Sequence, residues 1–200
     1  VNYTVEHYFM ETDGSTYKVN SSLTETLSAK TGDTVTATYK TVTGFTKNES
    51  HASTVASGTV KGDGTLVLKL YYTRNQYTLK IVAGTGVTSV SGGNSTGTKV
   101  YYGKSVAIDA TVNTAGYTWS KWTVTGTTPT TFVAGTKAQT IVMGAGDATL
   151  TATTTIRQFT LTIDPNGGTF GGKTTATTIT QNYNTTYTVA DATRANYVFH

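Results

Sequence analysis

The chain has no cysteine among its 200 residues. No disulfide can staple it, and no thiolate can hold zinc or act as a nucleophile. Charge is scarce as well. Asp, Glu, Lys and Arg together make up 13% of the sequence, against about 25% in an ordinary soluble domain. Hydrophobic residues reach only 36%, below the usual ~45–50%. No apolar run approaches the 18 residues or so that a membrane-spanning helix needs. Carboxylates are sparse, and no glutamate follows Glu49. A glycosidase needs a placed carboxylate pair. Between residues 75 and 156 the chain offers only Asp109, expected on the outer face of a strand, and Asp147, expected in a turn. The 12 Lys and 3 Arg are scattered and give a net charge of +4 without forming a run or a basic helix. The clustered footprint of a nucleic-acid binder is therefore missing.

Threonine fills the deficit, with 49 residues, and glycine supplies 21 more. Threonine is β-branched and suits a strand face turned to water. With 13 tyrosines, the composition is that of a β protein rather than a disordered chain. Strict apolar alternation marks the strands. In "GTLVLKLYY" Leu66, Leu68, Leu70 and Tyr72 share one face, and Val67, Lys69 and Tyr71 share the other. "YTLKI" (77–81), "SVAIDATV" (105–112) and "FTLTI" (159–163) repeat the pattern, separated by Gly and Asx turns. No stretch of convincing helical period interrupts them.

Alignment of the chain with itself reveals a period of roughly 80 residues. "TRNQYTL" (73–79) and "TIRQFTL" (155–161) are matching strand entrances. "GDTV" (32–35), "GKSV" (103–106) and "NTTY" (184–187) form a second signal. "TGFT" (43–46), "AGYTW" (115–119) and "ANYVF" (195–199) form a third, and "VKGDGTLVL" (60–68) matches "VMGAGDATLTA" (142–152). The expected units are 1–74, 75–156 and an incomplete 157–200. The two full units are expected to hold five or six strands each, and adjacent units should join without a flexible linker. The opening "VNYTVEHYF" reads as starting in mid-strand. The third unit lacks counterparts of Trp122–Val124 and Ala148–Ala152, so the parent protein is expected to continue past His200.

"DPNGGTFGGKTT" (164–175) raises a nucleotide-site question, because Gly171, Gly172, Lys173 and Thr174 look like the end of a phosphate-binding loop. Such a loop needs a helix N-terminus after it. The succeeding "TTATTITQNY" is β-branched and favours a strand, and Pro165, Asn166 and Gly167 suit a tight turn. Two turns are therefore expected, the second at Gly171–Gly172. The histidines His7, His51 and His200 lie far apart in sequence, so no metal site is expected. Asp13 in "TDGS" and Asp63 in "GDGT" are turn residues. Five Asn-x-Ser/Thr sequons, at Asn2, Asn20, Asn48, Asn94 and Asn184, are what so Thr-rich a chain produces by chance. Tyr117, Trp119 and Trp122 are assigned to a core, with Tyr117 and Trp119 on one strand face. The Tyr71–Tyr72 and Tyr101–Tyr102 pairs must each split between two faces, and Tyr71 is expected to be an exposed aromatic. No catalytic, cofactor, metal or ligand-binding residue is assigned.

The segments "YTLKI…YGKSVAIDATVNTAGYTWSKW…MGAGDATLTA" resemble the divergent form of the Listeria–Bacteroides repeat, the B-repeat of internalin-type surface proteins. "FTLTIDPNGGTF…NYNTTYTVADATRANYVF" resembles the ordinary form, with its Asp-x-Asn-Gly-Gly turn. The first unit, "YTVEHYFMETDGSTYKV…GTVKGDGTLVLKLYYTRN", is similar to a mucin-binding-protein-type (MucBP-like) repeat. Lys121 stands where the repeat usually has Gly, and Asn196 takes another Gly position. The resemblance implies a mainly β fold of small β-grasp-like modules arranged end to end. It further implies a non-catalytic, monomeric segment of an extracellular, wall-attached bacterial adhesin, without a cofactor, nucleic-acid partner or membrane insertion of its own. No Leu-Pro-x-Thr-Gly sorting signal occurs in these 200 residues. The function implied is a semi-rigid stalk. The alternative is a module that recognises host glycan, mucin or a host surface protein, and a glycosidase or other enzyme ranks last.

Overall fold

The computed structural model describes residues 1–198. Phe199, which closes the "ANYVF" match, and His200, whether native or part of a tag, lie outside the described residues. The fold is mainly β. Among the described residues there is no α-helix, only a 3-10 turn at Ser21–Leu23.

Seven strands fall in the first unit: β1 (Asn2–Met10), β2 (Tyr17–Val19), β3 (Glu25–Ser28), β4 (Thr34–Thr36), β5 (Phe45–Lys47), β6 (Ser57–Thr59) and β7 (Val67–Arg74). Seven more make up the second: β8 (Gln76–Ala83), β9 (Val87–Ser91), β10 (Thr98–Tyr101), β11 (Ser105–Val112), β12 (Tyr117–Gly126), β13 (Gln139–Val142) and β14 (Ala148–Ile156). The last two are β15 (Gln158–Ile163) and β16 (Thr177–Asn182). The count of seven corrects the expected five or six. The extra strands are short pieces of three or four residues, such as β4, β6, β10 and β13, too short for an alternating pattern to stand out in the sequence.

The pairings repeat. In the first unit the main sheet runs β2-β1-β7-β5, with β3 also on β1, and in the second it runs β10-β8-β14-β12. In both, the first and last strands are central and parallel. Val5 lies opposite Leu68 and Phe9 opposite Tyr72, while Leu79 lies opposite Ala148 and Ile81 opposite Leu150. The strands between these central pairs lie partly outside the main sheets. Those outside form separate small sheets, β4–β6 in one unit and β13-β11-β9 in the other.

The alternation explains what is buried. Tyr3, Val5, His7 and Phe9 of β1 lie beside Leu68, Leu70 and Tyr72 of β7 on one face of the sheet, and with Val60 they make one core. Leu79, Ile81, Ile108, Trp122, Ile141, Met143 and Leu150 fill a second core. Each fully buried Leu or Ile contributes roughly 1.5–3 kcal/mol of apolar transfer. The two clusters share no residue. The remaining strands, β15 and β16, form an antiparallel pair on their own, with Gln158 opposite Asn182 and Ile163 opposite Thr177.

The glycine-rich run makes two tight turns. Asn166 and Gly167 both have positive φ (44° and 82°), and the Gly168 N–H donates to the Pro165 carbonyl at 2.8 Å. Two central residues at positive φ define a type I′ turn, so Pro165 holds its first corner. Gly171 and Gly172 (φ 53° and 78°) make the second, closed by reciprocal bonds between Phe170 and Lys173. The chain then enters the strand β16 and not a helix, so no helix N-terminus is available for a phosphate.

Candidate functional site: the joints between units

β7 ends at Arg74 and β8 begins at Gln76, and β14 ends at Ile156 and β15 begins at Gln158. One residue, Asn75 or Arg157, is thus the whole connection each time. Both of its backbone polar groups are engaged. The Asn75 N–H donates to the Gly44 carbonyl at 2.9 Å, and its own carbonyl accepts from the Tyr102 N–H at 2.9 Å. The Arg157 N–H donates to the Gly116 carbonyl at 2.8 Å, and its carbonyl accepts from the Tyr183 N–H at 2.8 Å. Each link is bonded to a glycine of the unit before it and to a tyrosine of the unit after it.

The same glycine and tyrosine also pack together. The Tyr102 ring lies over Gly44 and the Tyr183 ring over Gly116, each so close that a Cβ on the glycine would collide with it. The aromatic after each glycine meets the ring edge-on. Phe45 and Tyr102 have centroids 6.0 Å apart, and Tyr117 and Tyr183 are 5.9 Å apart. Arginines add staples. Arg74 donates through Nε to the Met10 carbonyl (2.7 Å) and through Nη1 to the Tyr102 carbonyl (2.9 Å), with its guanidinium 4.6 Å from the Phe45 ring centre. Arg157 donates to the Thr114 carbonyl at 2.7 Å. Tyr101 adds a further contact, lying against Gly14. Both members of the Tyr101–Tyr102 pair therefore serve the first joint. The sequence already aligned Gly44 with Gly116, and Tyr102 and Tyr183 directly precede the matching signals "GKSV" and "NTTY". No pattern revealed that these two recurring signals touch each other across the link.

The other singled-out residues are absorbed by structure. Trp122 is 1% exposed, and its indole N–H donates to the Lys137 carbonyl at 2.9 Å. Trp119 meets it edge-on at 5.5 Å and donates to the Gly135 carbonyl. A spacing of three would put these two on opposite faces of a regular strand. An extra residue, Ser120, bulges β12 between Trp119 and Lys121 and restores Trp122 to the core side. Asp109 faces Lys137 at 3.2 Å, and Asp147 accepts from the Thr78 N–H. Asp13 and Asp63 accept backbone bonds from their own turns.

Tyr71 corrects an expectation. It is 7% exposed, not an outward ring open to solvent. Tyr8 stacks on it at 4.8 Å and His51 at 3.8 Å, while Tyr17 meets it edge-on at 5.3 Å. The outer sheet face is closed by rings from β1, from β2 and from the loop that carries His51.

His7 is fully buried. The Tyr72 hydroxyl accepts the Lys40 N–H at 2.9 Å and lies 2.7 Å from His7 Nδ1, so its own proton goes to that nitrogen. The ring hydrogen then sits on Nε2, 3.6 Å from Glu25 Oε2 and without a hydrogen-bond partner. Glu25 is bonded instead to Lys40 Nζ at 2.5 Å. Burial pushes the His7 pKa below its ordinary 6.5 against the pull of Glu25. The unfolded chain binds a proton below about pH 6.5 that folded His7 refuses, so stability is present above that pH and lost as pH falls toward the folded pKa. Glu25, held below its ordinary 4.5 by Lys40, adds its own loss only at lower pH. Urea melts of the first unit should therefore weaken between pH 7 and 5, by at most ~1.4 kcal/mol per pH unit. His7→Phe should flatten that slope whatever its absolute stability, and an unchanged slope would rule His7 out as its source.

Among the described residues no group of three or more His, Asp or Glu converges as metal ligands. No helix among them is long and apolar enough to cross a membrane. In comparisons with known proteins, no family model, no curated protein and no solved structure matches this chain.

Proposed function

We propose that the segment is a semi-rigid spacer: a run of small β units held in fixed relative orientation, serving as the non-catalytic stalk of a bacterial cell-surface protein. The joint carries this reading, because it is built twice from the same parts. Backbone bonds on both sides of the single linking residue remove the freedom a flexible tether keeps, and the tyrosine-on-glycine contact blocks rotation about it. The accessible surface supports an extended arrangement. It is 11710 Å², against about 9,000 Å² for a compact monomer of this mass. A wall-attached adhesin, as the repeat resemblance implies, is the setting that suits such a rod. The glycan- or mucin-binding alternative loses its best aromatic platform with the burial of Tyr71.

Small-angle scattering on the purified chain should give an elongated monomer. Gly116→Val tests the joint, since Gly116 does not need positive φ and the atoms nearest a side chain there belong to the Tyr183 ring. It should leave the melting of the first two units intact while broadening the distance distribution. A compact profile, with units folded onto one another, would overturn the spacer reading.

A further inference from the structure

We infer that the mouth between the two sheets of the second unit binds an acidic sugar, one whose pyranose ring bears a carboxylate. The inference goes beyond the spacer reading and does not depend on it, since a stalk can carry such a site along its length.

The turn 113–116 joins β11, a strand of the small sheet, to β12, a strand of the main sheet. Beside it opens a cavity of about 450 Å³. Its wall is aromatic at Tyr117 and Trp119, hydroxylated at Thr111 and Thr114, and cationic at Lys137 and Arg157. Among the described residues no carboxylate lines it. The rings are fixed before anything binds. Tyr117 packs on Gly86. Trp119 is half-buried, with its indole N–H on the Gly135 carbonyl at 2.8 Å and its ring edge-on to Trp122. Its one donor is spent, so Trp119 offers an aromatic surface alone. The face of such a ring carries partial negative charge and suits the weakly positive C–H groups of a pyranose. A preformed seat costs its ligand little ordering.

The cations select an anion. Lys137 Nζ donates to Asp109 Oδ1 at 3.2 Å and to the Ala110 carbonyl at 2.9 Å, which leaves one of its three N–H groups. Arg157 donates through Nη1 to the Thr114 carbonyl, and among the described residues no carboxylate forms an ion pair with it. That bond leaves the Nε–Nη2 edge, the fork that grips a carboxylate through two parallel hydrogen bonds. One guanidinium edge, fixed rings and flanking threonines complement a ring with several hydroxyls and a single carboxylate.

The opening recurs in the first unit, which is followed directly by the seven-stranded second one. There the corresponding mouth, beside β5, is a cavity of about 530 Å³ with Val42 and Phe45 at its wall. The opening is therefore a feature of the repeat, but its chemistry differs between the two units. Lys47 stands in the place of Trp119 and is bonded to Glu49, a carboxylate on the wall, at 2.8 Å. Arg74, the counterpart of Arg157, commits Nε as well as Nη1 to its joint. The acidic-sugar chemistry belongs to the second unit, and the first serves as its internal control.

The test is a titration of the full chain with methyl glucuronide and, separately, with the methyl glycoside of N-acetylneuraminic acid, followed by backbone and side-chain N–H spectra. Both probes carry a carboxylate on a pyranose, and the tighter binder identifies the kind of acidic sugar the groove takes. For the glucuronide a Kd on the order of 1 mM is expected, the range open to a ligand of about 14 heavy atoms. Signals of Trp119, Thr114 and Arg157 Nε should shift, and those of Phe45 and Lys47 should not. Methyl glucoside and acetate, each holding half of the chemistry, should bind at least ~10-fold more weakly. Arg157→Gln should weaken glucuronide binding by at least ~10-fold while the second unit melts as before. No shift at Trp119 with either acidic sugar on a folded chain would overturn the inference. So would acetate binding as tightly as the glucuronide, an acidic peptide binding more tightly than both sugars, or unchanged binding by the Arg157→Gln variant.

Discussion

Trp122→Ala should sharply lower or abolish the cooperative melting of the second unit and leave that of the first in place. Trp122 is the largest fully buried side chain. Truncating a buried Trp costs about 3–5 kcal/mol through lost transfer energy and the cavity left behind. The Lys137 carbonyl also loses its indole donor, and a buried acceptor without a partner adds about 1–3 kcal/mol. A unit of this size has a stability of roughly 4–12 kcal/mol, so the sum takes most or all of it. Calorimetry should show the second unit's transition fall by more than about 12 °C or disappear, since each kcal/mol moves a small domain by ~4–8 °C. Trp122→Phe, which keeps much of the volume and loses the N–H, should fall between. Wild-type melting of the alanine variant would mean that Trp122 is not in the core.

Tyr72 is the largest fully buried side chain of the first unit, and its two losses can be separated. The ring stacks on Phe9 at 4.5 Å and meets Tyr39 and His7. The hydroxyl joins the Lys40 N–H to His7 Nδ1. Tyr72→Phe keeps the stack and orphans both partners, at a cost of about 1–3 kcal/mol. Tyr72→Ala removes the stack as well, for a further ~3–5 kcal/mol, and should unfold residues 1–74 while Trp122 fluorescence in the second unit stays native. A phenylalanine variant as stable as the parent would show that the buried network contributes nothing. Equal losses for the two variants would show that the ring does not.

The repeat and its strands were legible because their signals are local. Alternation in "GTLVLKLYY" places Leu68, Leu70 and Tyr72 in the core without reference to anything distant. The turns at Asn166–Gly167 and Gly171–Gly172 arise from residues that accept positive φ. The failures share a different origin. Tyr71 was expected to be exposed because its cover comes from distant segments, Tyr17 of β2 and His51 of the loop after β5. Ser120 leaves no mark in the sequence, yet its bulge decides on which face Trp122 lies. The strands β4 and β6 are made of residues that would serve equally as loop, and pairing with each other makes them strands. The joints were half visible. Gly44 and Gly116 stood out as recurring positions, and Tyr102 and Tyr183 adjoin a second recurring signal, but their contact is tertiary.

Placing the first and last strands side by side and parallel decides how each unit responds to tension. A pull on the array draws β1 by its start and β7 by its end, so the neighbouring strands are dragged past each other along their length. The six residue pairs from Thr4–Val67 to Phe9–Tyr72 are then loaded together in shear, not peeled apart one at a time. The five pairs from Leu79–Ala148 to Ala83–Ala152 repeat the arrangement in the second unit. Rupture in that geometry requires many hydrogen bonds and the core beneath them to give way at once. A tether built of such units transmits drag from one end to the other before any of them yields.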